Sequence, residues 1–453
     1  MRVAVVGASG FVGRAISSAL AAAAYDVVAI SRHLPDIPGA EGHSIDVGDK
    51  EKLAESLQGC EVVYYLVHSL SGDAFRARDR QLAEGLRDAA VVAGVQRIVY
   101  LGGLGDDPDS EHLASRQEVG AVLANGRVPV VELRAAVVLG AGSISFEMLR
   151  YLTERLPCMV CPRWVRTAIQ PIALTDMIRY LMRALDVEPG IYDVGGADVT
   201  SYRDMIVAYA RVRGLRRRRI VDVPYLTPRL SSYWLDLVTP VDRRVSHALI
   251  ESLATEVIVK DPERTDAAFG IRPMGLDASL SAALEEQACA LDGNLFRQEN
   301  GLRDGVYTVR MVENLRPGLS TNIDEDFDRI GGGFGWYGLA PAWRVRARLG
   351  RMTGEDWNFR SPSAVVQGER VDWWLVARRE PGELVLRNVW WFPGEAWLGY
   401  RSDEHHLMQV GSFRSRGIPG FLYWKLLRPV HHVVFRAMAR HRVSRAIGIT
   451  PNA

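Results

Sequence analysis

The chain has 453 residues, more than one ordinary hydrophobic core can use, so two or three separately packed domains are expected. With 48% hydrophobic and 24% charged residues and no low-complexity tract, disorder is excluded for nearly the whole length. A net charge of +1 excludes a generalised nucleic-acid binder, and no stretch of ~18 uninterrupted apolar residues offers a membrane span. Four cysteines do not make a disulfide framework at this length. The chain opens directly into an apolar strand without a signal peptide, so a cytoplasmic, reduced setting is expected.

In chain order, "RVAVV", "DVVAI", "EVVYYL", "RIVYL" and "VPVVEL" read as buried strands separated by Ala-, Leu- and Arg-rich helices. Continuous apolar strands spaced by helices predict an α/β fold with a doubly wound parallel sheet of the Rossmann type, helices covering both faces. The first strand runs into "VAVVGASGFVGRAI", which places Gly7, Gly10 and Gly13 between a strand and a helix. The first glycine permits the tight turn, the second lets backbone approach a pyrophosphate, and the third allows close helix-to-strand contact. The helix then presents unpaired N–H groups and a partial positive charge to phosphates.

A carboxylate at the end of the second strand would hold an adenosine ribose, but here the strand ends at Ser31 and Arg32. Arg32 suits a 2′-phosphate, which favours NADP with NAD as the other candidate; an exposed loop arginine is the plainer reading. Asp46 is placed either to reach the adenine amino group or to cap a helix starting near Gly48 to Lys50.

Further on, "PCMVCP" spaces Cys158 and Cys161 like half a zinc site. No second pair completes it, and two buried thiols are expected. The basic run "RVRGLRRRR", residues 211–219, reads first as a solvated loop and second as a contact for an anionic membrane; no nucleic-acid partner is expected.

Nine of the eleven tryptophans follow residue 330, which marks a second domain. The expected division is residues 1–290 for the nucleotide-binding domain, with a substrate-pocket extension over about 150–290, then a linker at 291–305 and a second domain at 306–453. There, "RVDWWLVARREPGELVLRNVWWFPGEAWLGYRSD" and "HLMQVGSF" predict antiparallel strands turning at Pro381-Gly382 and Pro393-Gly394. A long helical stretch follows in which Phe421, Trp424, Leu427, His431, Val434, Phe435 and Met438 recur at helical spacing, with Pro429 expected to kink it or begin a second helix. A meander closing over one long helix predicts a helix-grip cavity for apolar ligands, lined by Trp373 and Trp390. From Gly411 to Ala453 there are eight Lys/Arg and no Asp or Glu. That helix therefore either packs only on its own sheet or also touches a membrane surface.

The segments "GASGFVG", "YLGGLGDD", "SRQEVG", "PRWVRTAIQPIALTD" and "LSSYWLDLVTPV", followed by "GGGFGWY", "VDWWLV", "PGEAWLGYR" and "GFLYWKLLRPVHHVVFRAMAR", carry a resemblance. The chain resembles atypical short-chain dehydrogenase/reductase proteins of the NmrA-like kind joined to a DUF2867 domain. The latter looks like a relative of the START and polyketide-cyclase helix-grip folds. The resemblance implies a catalytic serine, tyrosine and lysine, and all three positions depart here: Gly102 and Gly103 follow the fifth strand, His112 replaces tyrosine and Arg116 replaces lysine.

Arginine can hold a ribose and lend charge but cannot exchange a proton at working pH; an imidazole can. His112 is thus either the proton donor or a surface histidine near a helix start. The expected cofactor set is Gly7, Ser9, Gly10, Phe11, Val12, Gly13, Ser31, Arg32, Asp46, Val47, Leu66, Val67 and Gly102. The expected function is an NADP-linked oxidoreductase acting on a lipophilic carbonyl, quinone or polyketide-like substrate, with a non-catalytic nucleotide-binding sensor or assembly module as the alternative.

Overall fold

A computed structural model divides the chain into two compact units, Met1–Gln287 and Ala288–Ala453. The structure describes residues 1–34, 36–68, 75–105, 110–223, 255–303, 305–315, 325, 327, 328, 330, 365–389 and 393–446.

The first unit is built on strands β1 (Arg2–Val6), β2 (Asp26–Ser31), β3 (Ala40–Ser44), β4 (Val62–Tyr65), β5 (Arg97–Gly103), β6 (Val130–Ala135) and β7 (Gly190–Val194). They form one sheet in the order β7-β6-β5-β4-β1-β2-β3, every pair parallel. The five strands read from the sequence are there. The edge strand β3, "AEGHS", escaped because its residues are half polar and not apolar throughout.

Strand alternation sends Val3, Val5, Val27 and Ala29 to one face, where helix α1 (Phe11–Ala22) packs through Ile16 and Leu20. Ala4, Val6, Val28 and Val63 face the other side, covered by Leu82, Leu86 and Ala90 of α3 (Phe75–Val92) and by Val119 and Leu123 of α4 (Glu111–Ala124). Both faces are therefore dry, which is why the strands read as unbroken apolar runs.

A second core of this unit joins Phe146 and Leu149 of α5 (Ile144–Arg155) to Met205 and Tyr209 of α6 (Tyr202–Val212), with Leu104, Leu113 and Val257. Beside it Glu154 accepts hydrogen bonds from the Tyr209 hydroxyl (2.8 Å) and Arg213 Nε (3.1 Å), and Arg150 lies close by. Arg218 donates to the Thr153 carbonyl at 2.7 Å. The basic run at 211–219 is thus not simply a solvated loop, because Arg213 and Arg218 are buried in this network. Cys158, expected to be buried, is exposed on the strand Cys158–Pro162, while Cys161 is buried; both are free thiols.

The second unit is a seven-stranded antiparallel sheet of β8 (Gly301–Arg303), β9 (Val306–Asn314), β10 (Arg370–Val371), β11 (Trp374–Glu380), β12 (Glu383–Asn388), β13 (Gly394–Ser402) and β14 (His406–Ser415). The order is β8-β9-β14-β13-β12-β11-β10. Helix α7 (Gly417–Ala446) packs on β9 and β14 and runs through Pro429 without a break, so one helix stands where two were the alternative.

The expected linker at 291–305 is not a linker. A helix continues to Asn294, and Leu291, Leu295 and Phe296 are buried with Val385, Trp397 and Val410. The indole of Trp397 donates to Asp292 at 2.7 Å. Gly, Asn and charge disguised a segment held by three apolar side chains. Trp390 and the segments "LSSYWLDLVTPV" and "GGGFGWY" lie outside the described residues.

Candidate functional site

After β1 the chain turns at Gly7, whose φ of +96° favours glycine. The Gly7 and Ala8 amides donate to the Ile30 carbonyl (2.9 and 3.1 Å), and the Gly10 amide donates to the Gly7 carbonyl (3.0 Å). α1 begins with no capping side chain and no acid in its first turn. Its leading amides and the positive end of its dipole are therefore left for an anion. Gly13 lies so close on this turn that a β-carbon there would overlap the Gly7 carbonyl oxygen.

Over this loop lies a cleft of about 370 Å³. Its walls are Gly7, Ser9 and Gly10 from the loop, Ser31 and Arg32 at the end of β2, Asp46 and Val47 after β3, and Leu66 and Val67 after β4. Four residues of the expected cofactor set do not line it. The Phe11 ring reaches toward Gly140 and Gly142, Val12 packs on the sheet core, Gly13 lies against Gly7, and Gly102 faces Glu132. Phe11, Val12 and Gly13 thus contribute the first amides of α1, not side chains.

Sequence reasoning missed His68, Arg78 and Leu82, which also line the cleft. The i, i+4 spacing of Arg78 and Leu82 on α3 was the available signal. No carboxylate stands at the end of β2: Ser31 donates to the His33 carbonyl, and Arg32 and Arg78 have no ion pair among the described residues. Asp46 closes a turn by accepting from the Gly48 amide (2.9 Å), and the helix starting at Lys50 is capped by Asp49. Asp46 stays at the cleft wall, so of its two expected roles the capping one falls to its neighbour.

A second, smaller pocket of about 110 Å³ adjoins the end of β5. Ser110 caps α4, accepting from the Leu113 amide (3.4 Å), and Tyr100 donates to the Arg116 carbonyl (2.9 Å), pinning the helix to β5. His112 and Arg116, one turn apart, then share a face and line the pocket with Tyr202 against walls of Leu104, Leu113, Val137, Met148 and Val257. Among the described residues, both ring nitrogens of His112, Nε of Arg116 and the Tyr202 hydroxyl are buried without a hydrogen-bond partner. Unsatisfied polar groups of this kind cost stability. Tyr202, far away in sequence, carried no signal. His68, on the cleft wall, lies within electrostatic reach of Arg116 and His112.

Gly102 replaces the serine for a steric reason: a β-carbon there would meet Glu132 Oε1 at 2.9 Å. Glu132 is 3% exposed and bound by Arg134 Nε at 2.7 Å; burial raises its pKa despite that partner.

Burial, and then the charge of Arg116, push the His112 pKa down to about 4. The ring is not a surface histidine, and it is neutral near neutral pH. It is thus a hydrogen-bond donor or acceptor there and not a ready source of protons. Between its ordinary value and about 4, the unfolded chain binds a proton that the fold refuses. The stability contributed by the neutral ring is complete above about pH 6.5 and is lost as pH falls toward about 4. In urea denaturation, the wild type is expected to lose on the order of 1 kcal/mol per pH unit relative to His112→Asn between about pH 6 and about pH 5. Parallel pH dependence in the two proteins would contradict it.

The second unit holds a separate apolar cavity of about 210 Å³ between sheet and α7, lined by Trp373, Trp397, Phe413, Trp424, His431 and Phe435 among others. Phe413 and His431 stack on either side of Trp424 (ring centroids 5.3 and 5.2 Å).

A family model described as NAD(P)H-binding matches residues 7–137, and one described as a protein of unknown function, DUF2867, matches residues 308–438. Among curated proteins, uncharacterised proteins of Mycobacterium tuberculosis and Mycobacterium bovis are 24% identical over 220 residues, 47% of this chain. The match spans only 23% of the length of those relatives. Among solved structures, the UDP-glucose 4-epimerase of Thermotoga maritima with UDP-glucose is similar with a TM-score of 0.51 and 14% identity, over 64% of this chain and 100% of that one. MoeE5, in complex with UDP-glucuronic acid and NAD, is similar with a TM-score of 0.50 and 18% identity over the same shares. At such identities the likeness is one of fold. The cleft, its glycine turn and the matched models agree: residues 7–137 match an NAD(P)H-binding model on a Rossmann-type parallel sheet, and residues 308–438 match DUF2867.

Proposed function

We propose that the chain is an NADPH-preferring oxidoreductase that reduces an apolar carbonyl or quinone in the pocket beside His112 and Arg116. One observation carries this reading: among the described residues, both ring nitrogens of His112 and Nε of Arg116 are buried without hydrogen-bond partners, on a pocket lined mainly by apolar side chains. Arg32 and Arg78, both without an ion pair among the described residues, suit the extra phosphate of NADPH, and no acid at the end of β2 repels it.

A nicotinamide held by the cleft residues would supply the hydride. Arg116 then holds the negative charge that grows on the substrate oxygen, and neutral His112 donates an N–H to the same atom. The apolar walls keep bulk water from weakening both contacts. The final proton comes from solvent, because a ring of pKa about 4 is seldom charged near neutrality. The pocket walls of the first unit and the aromatic cavity of the second each favour a lipophilic ligand.

The test mixes the full chain with NADPH and follows nicotinamide absorbance against a panel of quinones and apolar ketones. Saturable oxidation with at least one of them, lost in Arg116→Ala, is expected. The missing serine, excluded by Glu132, favours the second reading, a nucleotide-binding sensor. Saturable NADPH binding with no oxidation by any member would decide for it.

A further inference from the structure

α7 carries no acidic residue from Gly417 to Ala446 and buries one side only, with Trp424, Met438 and Ala439 against the sheet. On the far side Leu422, Leu426, Val430 and Val433 are 48%, 73%, 54% and 65% exposed. Their spacing of four, four and three residues aligns them in one stripe along the helix. Next to it run the exposed cations Lys425, Arg428 and Arg436, the last hydrogen-bonded to the exposed His432 ring at 3.3 Å. Water does not reward four aliphatic side chains in a row, and the cations have no acid on their own helix to answer them.

We propose that this face of α7 seats an anionic lipid bilayer. An apolar stripe beside a cationic one fits the boundary between acyl chains and acidic headgroups, with the helix lying in the plane of the surface. No helix among the described residues is long and apolar enough to cross a membrane, which agrees with lying on it. A second copy of the chain is the poorer occupant, because pairing this face with itself brings like charges together. Val430 belongs both to the stripe and to the wall of the aromatic cavity, so the edge of that cavity meets the same surface. This docking is independent of the redox reading and stands without it.

The test is co-sedimentation of the full chain with vesicles of equal parts phosphatidylglycerol and phosphatidylcholine, against phosphatidylcholine alone. Binding to the anionic vesicles only is expected. The triple variant Lys425→Glu, Arg428→Glu, Arg436→Glu should weaken it about a hundredfold, and Leu426→Ser with Val433→Ser about tenfold. All substituted side chains are surface groups, so melting temperatures and NADPH binding should match the wild type. Sedimentation that is absent, equal on both vesicles, or unchanged in both variants would overturn the proposal. A concentration-dependent dimer dissolved by Leu426→Ser with Val433→Ser would also overturn it, in favour of a second copy.

Discussion

Gly10→Ala and Gly13→Ala are expected to abolish dinucleotide binding by different routes. At Gly10 the backbone φ of −70° suits any residue, and an added β-carbon meets only the Gly7 carbonyl oxygen, at 3.2 Å. The apo fold should therefore tolerate alanine. The methyl group would stand where backbone must approach a diphosphate, and binding is expected to fall about a hundredfold, ~2.8 kcal/mol. At Gly13 the β-carbon would overlap the Gly7 carbonyl, backbone that cannot step aside. The turn must open, so this variant should lose both binding and stability, by ~2 kcal/mol or more in chemical denaturation. If Gly10→Ala bound NADPH like the wild type, the diphosphate would not lie on this loop.

Removing Arg116 or His112 should have the next largest effect, on turnover. Arg116→Ala takes away the only positive charge that lines the small pocket among its described residues, and kcat is expected to drop about 100- to 1000-fold. NADPH affinity should change far less. His112→Leu should cost about as much, whereas His112→Gln, which keeps an N–H, should recover part of the rate. Because the ring is neutral down to about 4, the reduction rate should show no inflection near the ordinary histidine value. An inflection there that vanished in His112→Gln would make the ring the proton donor after all.

The sheet was legible because both its faces are dry: Val3 to Val6 and Val62 to Tyr65 are all buried and read as strands on sight. The glycine turn was equally plain, and nine cleft residues followed from it. The remainder depended on contacts distant in sequence. Tyr202 reaches the pocket from beyond all seven of the sheet strands, and nothing local marks it. Arg78 was hidden in an arginine-rich helix in which Arg76 and Arg80 pair with Glu118 and Arg87 with Asp88. His112 sat in a run of polar residues that reads as surface, yet the packing of α4 against β5 buries its ring nitrogens. The segment at 291–305 looked like a linker because its three buried side chains are spaced among Gly, Asn and charge. Burial decided by tertiary packing leaves little periodicity to read.

The most direct test is a calorimetric titration of the full chain with NADPH and, separately, with NADH. Saturable binding of one dinucleotide per chain is expected, tighter for NADPH by about tenfold or more, ~1.4 kcal/mol. Arg32→Ala with Arg78→Ala should erase that preference and leave NADH unaffected. No saturable heat with either nucleotide, or an equal response to both that the double variant does not alter, would contradict the assignment of this cleft.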